Sequence, residues 1–224
     1  MADKTAPDKK RITIRRSQAE RSSSTRWRAC EATLEGLAEF GHERISTTMI
    51  AQKAKISRGA LTHQFPTRQE LFVAALRHLH EDWERNSPVA LPMNHPVVPM
   101  SELTQQLWKT MFDDRRYIAA VELMLAARQD NELGRILRAE MARWIKIRDD
   151  SLLRLLGHGQ GDSSATKLLH LTLSVLRGIA VHRSFDQNDE LAPELLSLWV
   201  SMLAQGDMKC NSGESYTGVG THNR

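Results

Sequence analysis

The sequence predicts an all-α fold for this chain of 224 residues. Apolar residues recur at spacings of three and four along nearly the whole length, which is the period of amphipathic helices. No segment shows the sustained period-two alternation that is typical of a half-buried strand. Glycine and proline are few, and they lie between the periodic segments, where they would end helices rather than interrupt them.

The composition is ordinary for a soluble globular protein, with 41% hydrophobic and 26% charged residues. No apolar stretch is long enough to span a membrane, so we expect no membrane partner. Cys30 and Cys210 do not suggest a disulfide framework, and the start of the sequence does not resemble a signal peptide. We therefore expect the protein to work in the cytoplasm.

Residues 1–21 are predicted to form a basic, disordered arm. A basic arm beside a folded domain often contacts phosphate groups, but a run of charge can equally be a solvated segment without a role. The sequence leaves both interpretations open. The positive residues are Lys4, Lys9, Lys10, Arg11, Arg15, Arg16 and Arg21, against the acidic residues Asp3, Asp8 and Glu20.

Four helices are predicted after the arm, over 26–40, 47–54, 58–64 and 67–85. Gly41 is a natural stop for the first helix. Ser46 and Ser57 are suited to capping the two short helices, because a serine hydroxyl accepts a hydrogen bond from a free N–H of the first turn. The segment that starts at Thr67 begins with the pattern of a capping box.

The two short helices have the spacing of a helix-turn-helix, with three residues (55–57) in the turn. A small residue, Ala51, stands where the helices would cross. Such a pair would place its second helix in the major groove of DNA, with Arg58, Gly59, Thr62, His63 and Gln64 outward. The other interpretation is two short amphipathic helices that merely pack together. The apolar positions that would fill the angle between the helices are Ile50, Ala54, Ile56 and Leu61.

The segments ATLEGLAEFG at 32–41 and IAQKAKISRGALTHQFP at 50–66, followed by Leu71, resemble the DNA-binding domain of TetR-family repressors. The resemblance covers about residues 25–75. It implies a DNA-binding domain over 22–68 and a helical domain over 69–205 that binds a small-molecule effector and forms a homodimer. Seven residues are implied to face DNA: Thr47, Thr48, Arg58, Gly59, Thr62, His63 and Arg68.

The chain departs from the family pattern at two positions of the helix-turn-helix, one in the turn and one in the second helix. Lys55 stands where the family usually has glycine, and a left-handed lysine there would cost roughly 1 kcal/mol. Thr62 stands where the family usually has a tyrosine that touches a phosphate, and a threonine hydroxyl reaches less far.

The second half of the chain predicts helices over 101–112, 115–128, 132–156, 165–185 and 190–205, then a disordered tail over 206–224. The helix at 165–185 is apolar nearly all round, so one face should pack inside the subunit and another against a partner. With the last helix it would form a four-helix interface of a homodimer. The alternative is a monomer that buries both faces internally.

The effector site is harder to locate from sequence. Aromatic, methionine and polar residues on the later helices could surround a cavity, although residues of this kind at helical spacing are more often plain core. The helix at 67–85 would connect such a site to the DNA-reading helix. The effector candidates are Trp83, Trp108, Met111, Phe112, Glu122, Met124, Trp144, Arg148, Arg177 and His182.

Together these patterns predict a repressor that binds a palindromic operator in double-stranded DNA and is released by a small molecule. No catalytic residues, cofactor or metal are expected, because no phosphate loop or activated nucleophile is recognisable. Pairs such as His78 and Asp82 have metal-ligand spacing but lack a third ligand. The alternatives are an all-α enzyme or scaffold with a chance helix-turn-helix pattern, or an activator of the same fold.

Overall fold

A computed structural model describes residues 18–211, apart from positions 160, 187 and 189 and the side chains of 207–211. Within these residues the protein is all-α and has no strand. No helix among them is long and apolar enough to cross a membrane. The helices are α1 (Gln18–Arg44), α2 (Thr47–Lys53), α3 (Arg58–Gln64), α4 (Arg68–Asn86), α5 (Met100–Leu107), α6 (Arg116–Ala126), α7 (Asn131–Leu155), α8 (Ser163–Arg183) and α9 (Leu191–Asn211).

The N-terminal caps expected from sequence are present in α2, α3 and α4. The Ser46 hydroxyl accepts from the N–H of Met49 at 3.2 Å, and the Ser57 hydroxyl accepts from Ala60 at 3.1 Å. Thr67 does the same for α4, where its hydroxyl lies 3.1 Å from the nitrogen of Glu70. These contacts satisfy N–H groups that a helix leaves free at its start, so helix boundaries here are set locally.

Helices α1 to α3 form a small unit whose core is continuous with that of the larger domain. Leu34 and Leu37 of α1 are fully buried together with Ile50 of α2, and Leu61 of α3 packs beside them. Helix α4 packs along α1 and also along α7, so it belongs to both units. Its buried residues include Leu71, Phe72, Leu76 and Leu79.

Several helix boundaries differ from the sequence prediction, and the largest difference is at the start of α1. Helix α1 starts at Gln18, so residues 18–21 are helical rather than part of a disordered arm. Glu20 in the first turn favours this, because negative charge is stabilising at a helix N-terminus. The chain kinks at Gly41, whose φ of 74° and ψ of 167° are not helical, before one further short turn to Arg44.

Helix α9 continues to Asn211, so the tail predicted from 206 was placed too early. Gly206 does not end the helix, because one glycine costs only about 1 kcal/mol in a helix interior. Residues 1–17 and 212–224 lie outside the described residues.

The predicted helix at 101–112 is two segments. Helix α5 ends at Leu107 and a π-helical turn, Trp108–Phe112, follows it. The turn is closed by a hydrogen bond of 2.9 Å from the N–H of Asp113 to the carbonyl of Trp108. Such single π turns inside helical segments are frequent at functional sites.

Candidate functional site

Helices α2 and α3 form the helix-turn-helix that the spacing predicted. Ala51 is 2% exposed at the crossing point, and Ile50, Ala54 and Leu61 are buried around it. The turn is held by a hydrogen bond of 3.0 Å from the N–H of Ile56 to the carbonyl of Ala51. The apolar residues that the sequence predicted to lie between the two helices are therefore the ones that pack there and fix the angle of α3 to α2.

Lys55 has the left-handed backbone that its position in the turn predicted. Its φ is 54°, and it is the single non-glycine residue with positive φ among the described residues. Its carbonyl accepts a hydrogen bond of 3.3 Å from the Arg28 guanidinium of α1. The turn thus keeps its shape although the lysine side chain makes this backbone conformation costly.

One face of the helix-turn-helix is open to solvent. Arg58, Gly59, Thr62 and His63 of α3 are exposed, Thr47 at the start of α2 is exposed, and Thr48 is half-buried. The Thr62 hydroxyl donates to the carbonyl of Arg58 at 3.0 Å, which leaves its oxygen able to accept. Six of the seven residues expected to face DNA therefore belong to α2 and α3, and five of them are exposed.

Packing within the subunit does not require glycine at position 59. A Cβ placed there would meet no atom closer than the Ser57 hydroxyl at 4.0 Å. The first turn of α3 consequently presents bare backbone to the solvent. Glycine at such a place suits close approach of a partner's backbone.

The start of α1 lies against the end of α3. The Gln64 side chain donates to the Ser22 hydroxyl at 2.8 Å, and the Arg26 guanidinium lies 4.7 Å from the centre of the Phe65 ring. The amino end of α1, which follows the basic arm, is thereby held beside α3. Residues 1–17 themselves lie outside the described residues.

Arg68 differs from the other six, because its side chain points into the protein. Its guanidinium donates to the carbonyl groups of His42 and Ile45, the second at 3.1 Å, and lies 4.7 Å from the centre of the Phe72 ring. The carbonyl groups at the end of α1 carry partial negative charge, and this is what draws the guanidinium inward. Arg68 is therefore left out of the set that we propose to contact DNA.

Two of the ten effector candidates, Trp83 and Trp144, lie in a closed aromatic cluster between α4, α6 and α7. Their ring centres are 5.7 Å apart, and Trp83 lies 6.1 Å from Tyr117. His80 stacks on Trp144 at 5.0 Å. The indole Nε1 of Trp83 is buried and has no hydrogen-bond partner. A buried donor of this kind is costly unless something accepts from it.

Of four further candidates, Phe112 and Arg177 contact Tyr117 of this cluster, and the other two, Met111 and Arg148, are buried. Met111 and Phe112 are buried, and the Phe112 ring lies 4.7 Å from that of Tyr117. Arg177 is exposed, but its Nε donates to the Tyr117 hydroxyl at 2.8 Å. Burial raises the pKa of Tyr117, although Arg177 acts against the shift. Arg148 is buried and is paired with Asp149 at 2.7 Å.

The remaining four candidates lie elsewhere. Trp108 and Met124 are half-buried on the π-helical turn and on α6. His182 lines an apolar groove between α8 and α9. Glu122 accepts a hydrogen bond of 2.9 Å from the N–H of His42, at the junction between the two domains. The ten residues thus do not line one cavity.

Sequence reasoning missed a buried charge cluster beside the aromatic rings. Glu140 is 4% exposed, and its carboxylate contacts the His80 ring at 3.1 Å, Arg77 at 3.0 Å and Arg143 at 3.0 Å. Burial alone would raise the pKa of Glu140, but these hydrogen bonds outweigh it and bring the pKa to about 2. A signal was available, since Glu140 falls in register with the buried stripe of α7, Leu133, Leu137 and Trp144.

Helices α8 and α9 leave an apolar groove of about 410 Å³ on the surface of the subunit. Leu198 is 60% exposed and Met202 is 55% exposed on its α9 side. On its α8 side, a Cβ added at Gly178 would meet no atom within 4 Å. Leu176 and Ala180 face the other way and are buried inside the subunit.

No group of three His, Cys, Asp or Glu side chains in the described part of the chain could hold a metal ion. His78, which has metal-ligand spacing with Asp82, lies 2.6 Å from Glu31 instead. Asp82 contacts Arg116 at 2.7 Å. Both residues of this pair are thus engaged in contacts between helices.

The family model described as bacterial regulatory proteins of the tetR family matches residues 30–75. The match covers the kink at Gly41, both helices of the helix-turn-helix and the first part of α4.

Two curated relatives match over most of their length. The HTH-type transcriptional regulator CymR of Pseudomonas putida is 30% identical over 180 residues, which are 79% of this chain and 87% of CymR. An uncharacterised HTH-type transcriptional regulator of Mycobacterium bovis is 24% identical over 196 residues, which are 85% of this chain and 98% of that protein.

Solved structures share the fold at low sequence identity. A transcriptional regulator from Aquifex aeolicus has a TM-score of 0.60 at 17% identity, covering 81% of this chain and 98% of that one. A TetR-family regulator from Marinobacter aquaeolei has a TM-score of 0.58 at 17% identity, covering 82% and 97%. The multidrug binding protein EbrR, solved with imidazole, has a TM-score of 0.52 at 24% identity, covering 77% and 92%.

Proposed function

The chain belongs to the TetR family of bacterial regulatory proteins, and from this premise we propose that it is a homodimeric repressor released from a palindromic operator by a small molecule. It is a transcriptional regulator with a DNA-binding helix-turn-helix. Repression, the operator and release by an effector are the proposal. In this proposal the protein acts in the cytoplasm by binding DNA and a small molecule, and it catalyses no reaction.

The open face of α3 is the observation that carries the DNA-binding part of the proposal. An arginine, a threonine and a histidine stand exposed on a helix whose other face is buried. In a helix-turn-helix the second helix enters the major groove, where side chains of this kind reach base edges and phosphates. Gly59 supports close approach, because nothing in the subunit occupies the space beside it. The proposed contacts are Thr47, Thr48, Arg58, Gly59, Thr62 and His63.

The groove between α8 and α9 supports a homodimer. Exposed leucine and methionine side chains on a continuous surface mark an interaction site, because monomers rarely leave such patches uncovered. A two-fold pairing of α8 and α9 with the same helices of a second copy would cover the groove and make a four-helix interface. It would also present two copies of α3 to a palindromic site.

The aromatic cluster supports an effector site between α4, α6, α7 and α8. Trp83, Trp144 and Tyr117 supply apolar surface, and the unpartnered Nε1 of Trp83 supplies a hydrogen-bond donor. We propose that an apolar or aromatic molecule with an acceptor atom enters here. Trp83 lies on α4, whose first turn is bound to the end of α1 through Arg68. A shift of α4 would therefore reach the helix-turn-helix.

The test begins with selection of genomic fragments by the full-length protein. The expected result is a preferred sequence with two inverted half-sites. Recovery of no preferred sequence would contradict the proposal and favour an all-α enzyme or scaffold. A reporter placed behind the selected site then separates repression from activation by the sign of the change.

The effector part is tested separately by calorimetric titration of candidate molecules with and without the selected DNA. A true inducer binds the DNA-free protein more tightly, and linkage requires DNA to weaken it by the same factor. Equal affinity in both titrations would rule out induction by that molecule.

A further inference from the structure

A cavity of about 500 Å³ lies at the junction between the two domains, and Phe112 separates it from Tyr117 of the aromatic cluster. Its walls are the end of α1, the π-helical turn with the start of α6, and the end of α8. The floor is apolar and includes Leu37, Phe112 and Ile118. The rim is charged, with seven acidic or basic side chains contributed by all three walls.

The four acidic side chains of the rim already have partners. Asp113 is paired with Arg183, and Asp114 is paired with Arg116 at 2.6 Å. Glu39 binds Lys53 at 3.0 Å. The fourth, Glu122, accepts from the N–H of His42. Three of the four are thus in ion pairs, although Lys53 also contacts Glu35 and Arg116 also contacts Glu31 and Asp82.

Two arginines of the rim are in the opposite situation. The Arg115 side chain forms no ion pair or hydrogen bond with any residue that the structure describes, and the Arg44 side chain donates only through Nε to the carbonyl of Phe40 at 3.0 Å. Neither has an acidic partner within the described chain. Each guanidinium keeps a planar pair of N–H groups that suits the two oxygens of a carboxylate, phosphate or sulfonate.

We propose that this junction cavity, bounded by α1, α6 and α8, binds a small organic anion. The apolar body of the molecule lies on Leu37, Phe112 and Ile118, and its anionic group lies between Arg44 and Arg115. Apolar side chains on the floor and charged side chains on the rim would together fix the orientation of such a molecule. It adjoins the effector site proposed above but is a different site, because the Phe112 ring stands between them.

The position of the cavity indicates what an occupant would do. One arginine is on α1 of the DNA-binding domain and the other precedes α6 of the larger domain. An anion bound by both would link the two domains. The bound anion would favour the arrangement of the two domains in which the two guanidinium groups converge on it. Because binding at two coupled sites is linked, this would change the affinity of the protein for DNA.

The probe for the test is anilinonaphthalene sulfonate, an aromatic anion that fluoresces in apolar sites, titrated into the full-length protein without DNA. Its uncharged counterpart is N-phenylnaphthylamine. The variant Arg44→Gln with Arg115→Gln is expected to weaken sulfonate binding about tenfold or more, since two charge-assisted contacts are lost. Binding of the uncharged probe should not change.

The matched control is Arg135→Gln with Arg138→Gln, two exposed arginines of α7 without ion pairs in the described chain. It removes the same charge and should leave both probes unaffected. A third variant, Ala38→Phe, fills the cavity from α1 and should weaken both probes.

Three outcomes would overturn the proposal. One is sulfonate binding that the cavity arginines do not influence, as expected if the probe binds in the groove of α8 and α9. Another is an equal loss in the α7 control, which would indicate only a general effect of charge. The last is binding of both probes that Ala38→Phe does not reduce. Because no DNA is present, none of these outcomes depends on the proposed repressor function.

Discussion

The carboxylate of Glu122 accepts a hydrogen bond of 2.9 Å from the backbone N–H of His42, and this contact joins the larger helical domain to the helix-turn-helix domain. The carbonyl of the same His42 accepts from Arg68 at the start of α4. The backbone N–H and the carbonyl of His42, just after the kink at Gly41, are thus held by side chains of two different helices, α6 and α4. A movement of α6 or α4 would act directly on the end of α1.

Replacing Glu122 with alanine should free the His42 amide. A hydrogen bond to a charged acceptor contributes about 1.5–3 kcal/mol, so the His42 N–H should exchange with solvent roughly tenfold faster or more. Hydrogen exchange read residue by residue makes the measurement. Glu122→Gln is the control, because its amide oxygen can still accept. Unchanged exchange at His42 in the alanine variant would show that the contact does not hold this segment.

Removing the exposed arginine of the reading helix should weaken DNA binding. We expect Arg58→Ala to lose about 1–3 kcal/mol of affinity for the selected operator if the guanidinium reads a base. Fluorescence anisotropy at one fixed salt concentration measures the change, with Arg135→Ala on α7 as the control. An equal loss on operator and random DNA would assign Arg58 to a phosphate instead, and no loss on either would remove it from the interface.

Substituting glycine for Lys55 should stabilise the protein. The lysine has φ of 54°, a left-handed conformation that glycine adopts without the steric cost of a Cβ. The free energy of unfolding should rise by about 1 kcal/mol in urea denaturation. The exposed lysine Lys167 of α8 has an ordinary helical backbone, so Lys167→Gly should destabilise. A Lys55→Gly protein less stable than the parent would contradict the strain argument.

A charge in the groove between α8 and α9 should separate the proposed dimer without unfolding the subunit. Leu198 is 60% exposed in the subunit, so glutamate there is tolerated alone but would be buried and unpaired in a dimer. Sedimentation velocity should show Leu198→Glu as a folded monomer that has lost operator binding.

The control for the dimer experiment is Leu125→Glu on α6, where the parent side chain is 52% exposed outside the groove. It should stay dimeric. Leu176→Glu should unfold the protein, because Leu176 is completely buried within the subunit. A dimer that survives Leu198→Glu would place the interface elsewhere.

The protein should become less stable in acid because of two residues of the buried charge cluster, His80 and Glu140. Burial lowers the pKa of His80 below its ordinary 6.5, although the hydrogen bond with Glu140 opposes the shift. The unfolded chain then binds a proton below pH 6.5 more readily than the folded one, so stability decreases as pH falls from there. Glu140 has a folded pKa of about 2 against an ordinary 4.5, so its contribution is complete above pH 4.5 and is lost between pH 4.5 and 2.

Unfolding free energies measured from pH 7 to pH 2 should show both decreases. Glu140→Gln should cost about 3 kcal/mol at pH 7 and should abolish the loss between pH 4.5 and 2. Glu132→Gln, an exposed position on the same helix, should change neither. A Glu140→Gln protein with the same acid profile as the parent would show that another group controls it.

The sequence alone determined the helices, the helix-turn-helix and the left-handed lysine. These depend on short-range rules: the spacing of Ile50, Ala54 and Leu61, the serine caps, and the turn length that forces Lys55 to positive φ. Neighbours within a few residues decide each of them. The same local information placed Thr47, Arg58, Gly59, Thr62 and His63 on exposed positions of α2 and α3.

Only the tertiary structure decided which partner each long polar side chain finds. Arg68 was expected outward, but the carbonyl groups of His42 and Ile45, more than 20 residues away in the chain, hold it inward. Glu140 meets Arg77 and His80 across 60 residues or more. The junction cavity likewise exists only because α1, α6 and α8 converge. Helical periodicity fixes the face on which a residue lies, but contacts between helices depend on packing angles that no local pattern encodes.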